Sequence, residues 1–411
     1  MKGKIILTIL ILTATIGSRS QNDTMYVIQD DSVIWFHAVS DIDSIIFYDA
    51  QFIPDTIPLP KITGFMNNTF VDENWDPFFP WGLNYTNAAL VDLIEDYWMM
   101  EDAWEILESD FEEMRYYGAN TVRIHLQYVK FMENTTTPKQ VSFERLERLA
   151  KIAEDKEMYL IVTGLAAYRL SDAQPWYDEL DDFGRWETHK LFWKTVAATL
   201  KDYSCVFAYD LINEPVVASG CHPDSSNCSW YPPNGQFGGY QFVQNISIDP
   251  DNSYWETIGF WTDLMTAAIR TEDDVTMVTL GLLPLGPISS IASHFDILST
   301  HIYPNTNNLM ASINYVLNNQ SDKPFLIEEF YNLSCSTPEL VIFLDQIEGN
   351  YHGLIGHYMG KTIEEYDTTI LVEYIHKEFL EFFIKNNPDP TKNHTDGLGQ
   401  SVTKEQETKN E

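Results

Sequence analysis

Residues 206–215 read VFAYDLINEP, an apolar run that ends on an amide, a carboxylate and a proline. Val206, Phe207, Leu211 and Ile212 give it the character of a strand buried on both faces. A buried strand ordinarily stops at a turn residue. Asn213 and Glu214 must therefore either point into water or stand at the edge of an apolar site because their chemistry is used there. The choice depends on how the rest of the chain ends its strands.

Seven further runs have the same character: WGLN (81–84), NTVRIHL (120–126), MYLIVTGL (158–165), VTMVTLGL (275–282), FDILSTHIY (295–303), PFLIEEF (324–330) and GLIGHYM (353–359). Helical patterns separate most of them. Trp104, Leu107, Phe111 and Met114 recur at helical spacing within 100–117 and stop at Gly118. Ser142 is placed as the N-cap of a helix whose Leu146, Leu149, Ile152 and Ala153 share one face. Residues 186–201 and 255–270 read as two more helices, and Trp186 and Trp193, seven apart, read as core. Near-continuous apolar strands imply a parallel sheet covered on both sides. Eight such units predict an α/β fold of the closed (β/α)8 barrel type over residues 62–385. An open doubly wound sheet lacks support, because no GxGxxG follows the first strand.

The flanks are of a different kind. MKGKIILTILILTATIGSRS (1–20) has Lys2 and Lys4, an apolar stretch and then small residues, the pattern of a signal peptide. A secreted or periplasmic protein is expected, with no membrane insertion once that segment is removed. Residues 21–50 hold a short β-rich segment, in which 25–50 alternate apolar and polar residues in two or three strands. Residues 51–61 carry three prolines and read as a linker, and 386–411 as a disordered tail. Cys221 and Cys228 close a short polar loop and form the favoured disulfide, whereas Cys205 reads as a buried thiol. No CxxC or HExxH occurs, so neither a structural zinc nor a zincin site is expected.

Lys and Arg number 25 against 61 Asp and Glu, a formal net charge of −36. Such a surface repels nucleic acid and polyuronate chains, while an uncharged glycan meets no such penalty. The expected partner is a neutral oligo- or polysaccharide, not nucleic acid; oligomeric state is not legible.

In a (β/α)8 barrel the C-terminal strand ends line the active site. The polar residues found there are Asn84, Arg123 with His125, Tyr168, Asn213 with Glu214, His301 with Tyr303, Glu329 and Tyr358. Two carboxylates flanking a bond suit glycoside hydrolysis, one giving a proton to the leaving oxygen and the other attacking the anomeric carbon. A glutamate leaving an apolar strand can retain its proton through desolvation, which suits the acid/base role. Glu329 needs a cation and hydrogen-bond donors to stay ionised, and Arg123 and Tyr303 are of the right types. Glu328 is expected to turn the opposite way by strand alternation, towards the barrel wall or an ion-pair partner. Trp81, Tyr168, Trp176, Trp230 and Tyr231 are candidates for stacking on sugar rings.

INEP on the fourth strand and EEF on the seventh resemble the acid/base and nucleophile motifs of glycoside hydrolase family five and its clan of retaining barrel enzymes. WGLN, VRIH and STHIYP on strands one, two and six add to the likeness, which covers roughly 62–385. The resemblance implies Glu214 as acid/base and Glu329 as nucleophile. It also implies that Asn213 contacts a sugar hydroxyl, that Arg123, His301 and Tyr303 orient the carboxylates, and that neither metal nor organic cofactor is needed. A β-mannan or β-glucan is the implied substrate. One departure stands out: the family usually ends strand eight with a tryptophan under the reacting sugar, where this chain has His357, Tyr358 and Met359. Tyr358 or Met359 is expected to provide the platform instead. A barrel that binds glycan without cleaving it is the alternative reading.

Overall fold

The computed structural model describes residues 24–29 and 32–38 by their backbone, and 59–388 apart from 87–92, 101, 170–171, 219–229, 231–241, 250 and 359. The chain divides into two units, Met1–Pro58 and Leu59–Glu411. In the first, Thr24–Gln29 pairs antiparallel with Ser32–Ala38, which agrees with two of the short strands expected there. The leader, most of the linker, the Cys221–Cys228 bridge, Tyr231, Met359 and the tail beyond residue 388 lie outside the described residues.

The second unit contains all eight anticipated strands. They are β1 (Trp81–Tyr85), β2 (Thr121–Gln127), β3 (Tyr159–Ala166), β4 (Val206–Asp210), β5 (Met277–Thr279), β6 (Leu298–Ile302), β7 (Phe325–Phe330) and β8 (Gly353–Tyr358). Every pairing among them is parallel, in the order β5-β4-β3-β2-β1-β8-β7-β6. A bridge between Leu282 and Thr300 joins the continuation of β5 to β6 and closes the ring. The fold is a (β/α)8 barrel.

The helices α1 (Ala103–Tyr116), α2 (Gln140–Asp155), α3 (Asp182–Leu200), α4 (Tyr254–Ile269), α5 (Leu309–Asn318), α6 (Thr337–Gln346) and α7 (Leu371–Lys385) surround the sheet, and a 3-10 turn at Ile288–His294 stands between β5 and β6. Each turns its apolar stripe inward: Trp104, Leu107, Phe111 and Met114 of α1 are buried, as are Leu146, Leu149, Ile152 and Ala153 of α2. Gly118 ends the first of these turns with φ +88°, a conformation that favours glycine. Ser142 is not a cap. It lies inside α2, which starts two residues earlier, and its hydroxyl donates to Lys130 O (2.7 Å). Trp193 is core, fully buried, and Trp186 is half-buried with its indole N–H on Ile246 O.

A three-stranded antiparallel sheet (Ile62–Met66, Thr69–Asp72 and Pro77–Phe78) precedes the barrel. Its Ile62 and Phe70 pack with Phe207, Ile297 and Leu326, and Phe70 meets Phe207 edge-on at 4.9 Å. This plug fills the N-terminal end of the barrel and leaves the C-terminal rim for polar side chains. Cys205 is a free buried thiol, as its apolar surroundings predicted.

Glu95 is a further buried carboxyl near the rim; it accepts from the backbone N–H of Gln127 (2.7 Å) and from its side-chain amide (3.2 Å). Burial outweighs these bonds and pushes its pKa from 4.5 up to about 7. The folded protein therefore holds a proton that the unfolded chain releases, and this contribution to stability is full below about 4.5 and lost as pH rises through about 7. Its size is about 3 kcal/mol. Thermal melts should show Glu95→Gln matching the wild type at pH 4.5 and exceeding it at pH 8.

Candidate active site

Arg123, at the middle of β2, is fully buried and holds the strand ends together. Its Nη1 donates to Asn84 Oδ1 (2.8 Å), to Glu329 Oε1 (2.9 Å) and to His125 Nε2 (3.1 Å). Its Nη2 donates to Asp210 Oδ2 (2.7 Å) and Asn213 Oδ1 (2.9 Å). Glu328 Oε1 lies 3.4 Å from Nε. One cation thus meets three carboxylates and side chains from β1, β2, β4 and β7. Buried charge of this kind is stable only where the hydrogen bonds are near complete; the guanidinium meets that condition, while Glu328 Oε1 and His301 Nε2 make no hydrogen bond. Asp210 also accepts from Thr163 Oγ1 (2.7 Å) and from the Gly281 N–H (2.9 Å).

Glu214 follows β4 with φ +46°, a left-handed conformation that costs a non-glycine residue about 1 kcal/mol or more. It is held there by its own N–H on Gly281 O (2.9 Å) and by Pro215, whose carbonyl accepts from Tyr254 (3.1 Å). The turn aims the carboxylate at His301, whose Nδ1 is 2.7 Å from Glu214 Oε1 and 3.3 Å from Glu329 Oε2. A carboxylate oxygen of each glutamate and a ring nitrogen of His301 all lie within 4.8 Å of one another.

The β6–β7 pairing slips by one residue between Thr300 and His301, so His301 stands opposite Glu329. Tyr303, on the same face of that strand end, donates its phenol proton to Glu329 Oε2. Burial alone would raise the pKa of Glu329. The charges of His301 and Arg123 and the Tyr303 hydrogen bond outweigh it and hold this carboxyl well below the usual range.

Glu328 finds the ion-pair partner expected of it, but one it shares with Glu329. It meets the same guanidinium from within the barrel, where Ser299 donates to it and no solvent reaches it. Burial and the nearby Asp210 push its pKa up to about 7. The two neighbours differ in depth and in donors.

Asn213 has its oxygen on Arg123 and its amide on Phe242 O (3.2 Å). His125 accepts from Arg123 at Nε2, so its proton sits on Nδ1, 2.6 Å from the Tyr168 hydroxyl. Burial and the Arg123 charge lower its pKa and keep it neutral. Asn84 is part of the cluster, but its amide nitrogen is engaged by Glu328 O and Gly356 O, both at 2.9 Å, and the buried side chain has no donor left for a ligand or a glycan.

Tyr358 is the predicted residue that the fold keeps apart. It sits on the outer side of β8, and its hydroxyl donates to Glu113 Oε2 of α1 (2.8 Å). Alternation instead turns the preceding His357 inward, its Nε2 3.1 Å from the Tyr303 hydroxyl. Of the stacking candidates, Trp81 is buried against Phe383, and Trp230 is buried over the Arg185 guanidinium. Trp176 is half-buried beside Tyr128 and Tyr177.

Three participants stand outside the predicted site residues, although His357 was noted at the end of strand eight. Asp210, an unexplained charge inside an apolar strand, was legible as a buried ion-pair partner. Gly281 gave no such signal, and the signal at His357 was only the missing tryptophan.

The match to protein families agrees with this geometry. Residues 71–313, more than half of the chain, fit the model of cellulase (glycosyl hydrolase family 5).

The chain belongs to glycosyl hydrolase family 5.

No curated protein matches it. Among solved structures, it is similar to an exo-β-1,4-mannosidase from Opitutaceae bacterium strain TAV5 (TM-score 0.57, 19% identity over 79% of this chain) and spans 62% of that protein's length. A β-mannanase from the blue mussel Mytilus edulis superposes with TM-score 0.54 at 15% identity, covering 80% of this chain and 98% of its own. A β-glucanase from Saccharophagus degradans, solved in complex with cellotetraose, gives 0.51 at 15%, covering 84% and 97%. At such identities these likenesses speak for the fold, which the family 5 chain shares with them.

Gly281 is the tightest point of the site. A Cβ there would fall 2.6 Å from His301 Nε2, 3.0 Å from Glu328 Oε2 and 3.1 Å from Arg123 Nη2. Gly281→Ala should cost about 1–3 kcal/mol of stability through overpacking. It should also displace the His301 imidazole; calorimetry and the imidazole NMR shifts check both.

Proposed function

We propose that this family 5 enzyme is an exported retaining glycosidase that cleaves β-linked neutral glycans of the mannan or glucan type by double displacement. The observation that carries this reading is the approach of Glu214 and Glu329 to within 4.8 Å, measured between oxygens. Retaining glycosidases hold their carboxyls about 5–5.5 Å apart, whereas inverting ones leave about 6.5–9.5 Å for a water.

The two glutamates have different surroundings, and the roles follow. Glu329 accepts from Arg123 and Tyr303 and is kept ionised, the state required to attack an anomeric carbon. Glu214 has no arginine, only His301, and its side chain is 11% exposed at the mouth of the site, within reach of a leaving oxygen. Glu214 protonates that oxygen as Glu329 forms the glycosyl ester. Glu214 then takes a proton from water, whose oxygen displaces Glu329 and restores the starting configuration. Arg123 and His301 fix the carboxylates, and Asn213 and Tyr168 border the sugar.

The class of substrate rests on charge and likeness. A net charge of −36 disfavours acidic polysaccharides, and the similar structures are named for mannan and glucan hydrolysis. Export rests on the N-terminal 20 residues; among the described residues no helix is long and apolar enough to cross a membrane.

Glu329→Ala should lower kcat on aryl β-mannosides or β-glucosides at least about a thousandfold with an unchanged melting temperature. Azide should restore turnover and yield the glycosyl azide of inverted configuration. Proton NMR of the wild-type reaction should show the β-anomer first. An α-anomer, or a fully active Glu329→Ala enzyme, would refute the mechanism.

A further inference from the structure

The β8 rim carries an imidazole whose surroundings the proposed reaction does not explain. His357 lies between two tyrosines. Its ring runs nearly parallel to that of Tyr303 (25° between planes, centroids 6.2 Å apart) and meets the ring of Tyr331 edge-on (84°, 5.6 Å). Tyr331 is itself fixed, since its hydroxyl bonds to His376 Nδ1 on α7 and its ring packs on Phe379 at 4.9 Å. The imidazole is therefore held in orientation from both sides.

The direction of its hydrogen bond follows from counting protons. A phenol has one, and Tyr303 gives it to the ionised Glu329. At the 3.1 Å contact the Tyr303 oxygen can then only accept, so His357 must carry its proton on Nε2. The result is a chain in which His357 Nε2–H donates to Tyr303 and Tyr303 O–H donates to Glu329. Each donation polarises the next, and a phenol that accepts a bond is a stronger donor. The groups facing His357 are His301 and Tyr303 from β6, Glu329 and Tyr331 from β7, Arg123 from β2 and His376 from α7. Burial first, and then Arg123 and His301 against the opposing pull of Glu329, lower its pKa, so the imidazole stays neutral with a single N–H to direct.

We propose that His357 is a positioning residue for Glu329, acting through Tyr303: its Nε2–H holds the phenol oxygen so that the phenol proton stays on the attacking carboxylate. The assignment rests on the reading of Glu329 as nucleophile. It gives the β8 strand end a polar, orienting function.

Three variants of the full chain test it. His357→Phe keeps the ring and removes the donor, and should lower kcat about two- to tenfold, the weight of one neutral hydrogen bond, with little change in KM. The acid limb of its pH profile should move to higher pH, because the carboxylate loses support for its charge. His357→Gln, which can donate from its amide, should recover part of both effects. In a Tyr303→Phe background, His357→Phe should have no further effect. If His357 only fills space, His357→Phe will match the wild type in rate and profile, which overturns the proposal. An independent readout needs no turnover: nitrogen-15 NMR of histidine-labelled protein should show His357 neutral and protonated at Nε2, with that signal moving in Tyr303→Phe. A proton on Nδ1 would overturn the proposal even if hydrolysis is confirmed, whereas the expected tautomer without any glycan cleavage would uphold the hydrogen-bond chain from His357 to Glu329 and overturn the reading of Glu329 as nucleophile.

Discussion

One guanidinium organises this protein's chemistry. Arg123 arrives on β2 and is met by Asn84 from β1, Asp210 and Asn213 from β4 and the two glutamates of β7. Parallel strands of a closed barrel end on one rim, so each needs to contribute only one or two polar side chains. Removed from water, the cation is stable because nearly every N–H has an acceptor, and the carboxylates are stable because they share it. The plug at the opposite end and the apolar helix stripes keep this polar cluster dry.

Three carboxylates around one arginine cannot all remain charged at the same depth. The surroundings apportion the protons. Glu328, without solvent and beside Asp210, is the one pushed towards protonation, with its pKa up to about 7. Glu329, one residue on, sits at the edge with donors from β2 and β6 and stays ionised. The pKa values of adjacent residues of the same type are thus shifted in opposite directions by a small difference in depth and donor count. His301 mediates between this pair of strands and Glu214. Burial would strip its proton, but Glu329 and Glu214 together raise its pKa.

The departure from the family pattern at the end of β8 becomes intelligible in this setting. The chain does not replace the usual tryptophan with the neighbouring tyrosine, because Tyr358 faces α1 and its carboxylates. The inward position belongs to His357, which reaches Tyr303 and through it the hydrogen bonds of Glu329. The reacting sugar would therefore meet a smaller and more polar floor.

Much of this was legible without coordinates. Eight apolar runs of strand length separated by helical periodicity define a parallel barrel, since a strand that is apolar throughout must be covered on both faces. Residues ending such runs must gather at one rim, and Arg123, Asn213, Glu214, His301, Tyr303 and Glu329 were named on that ground. What alternation within one strand could not give was direction where the strand bends or slips. The register slip at Thr300–His301 and the left-handed turn at Glu214 aim the side chains, and both arise from contacts between strands far apart in sequence. The same limit hid the inward turn of His357, the engagement of Asn84 within the barrel and the need for a glycine at 281. Amino-acid type and order decided which groups reach the rim; only packing between strands decided which of them face one another and which keeps its proton.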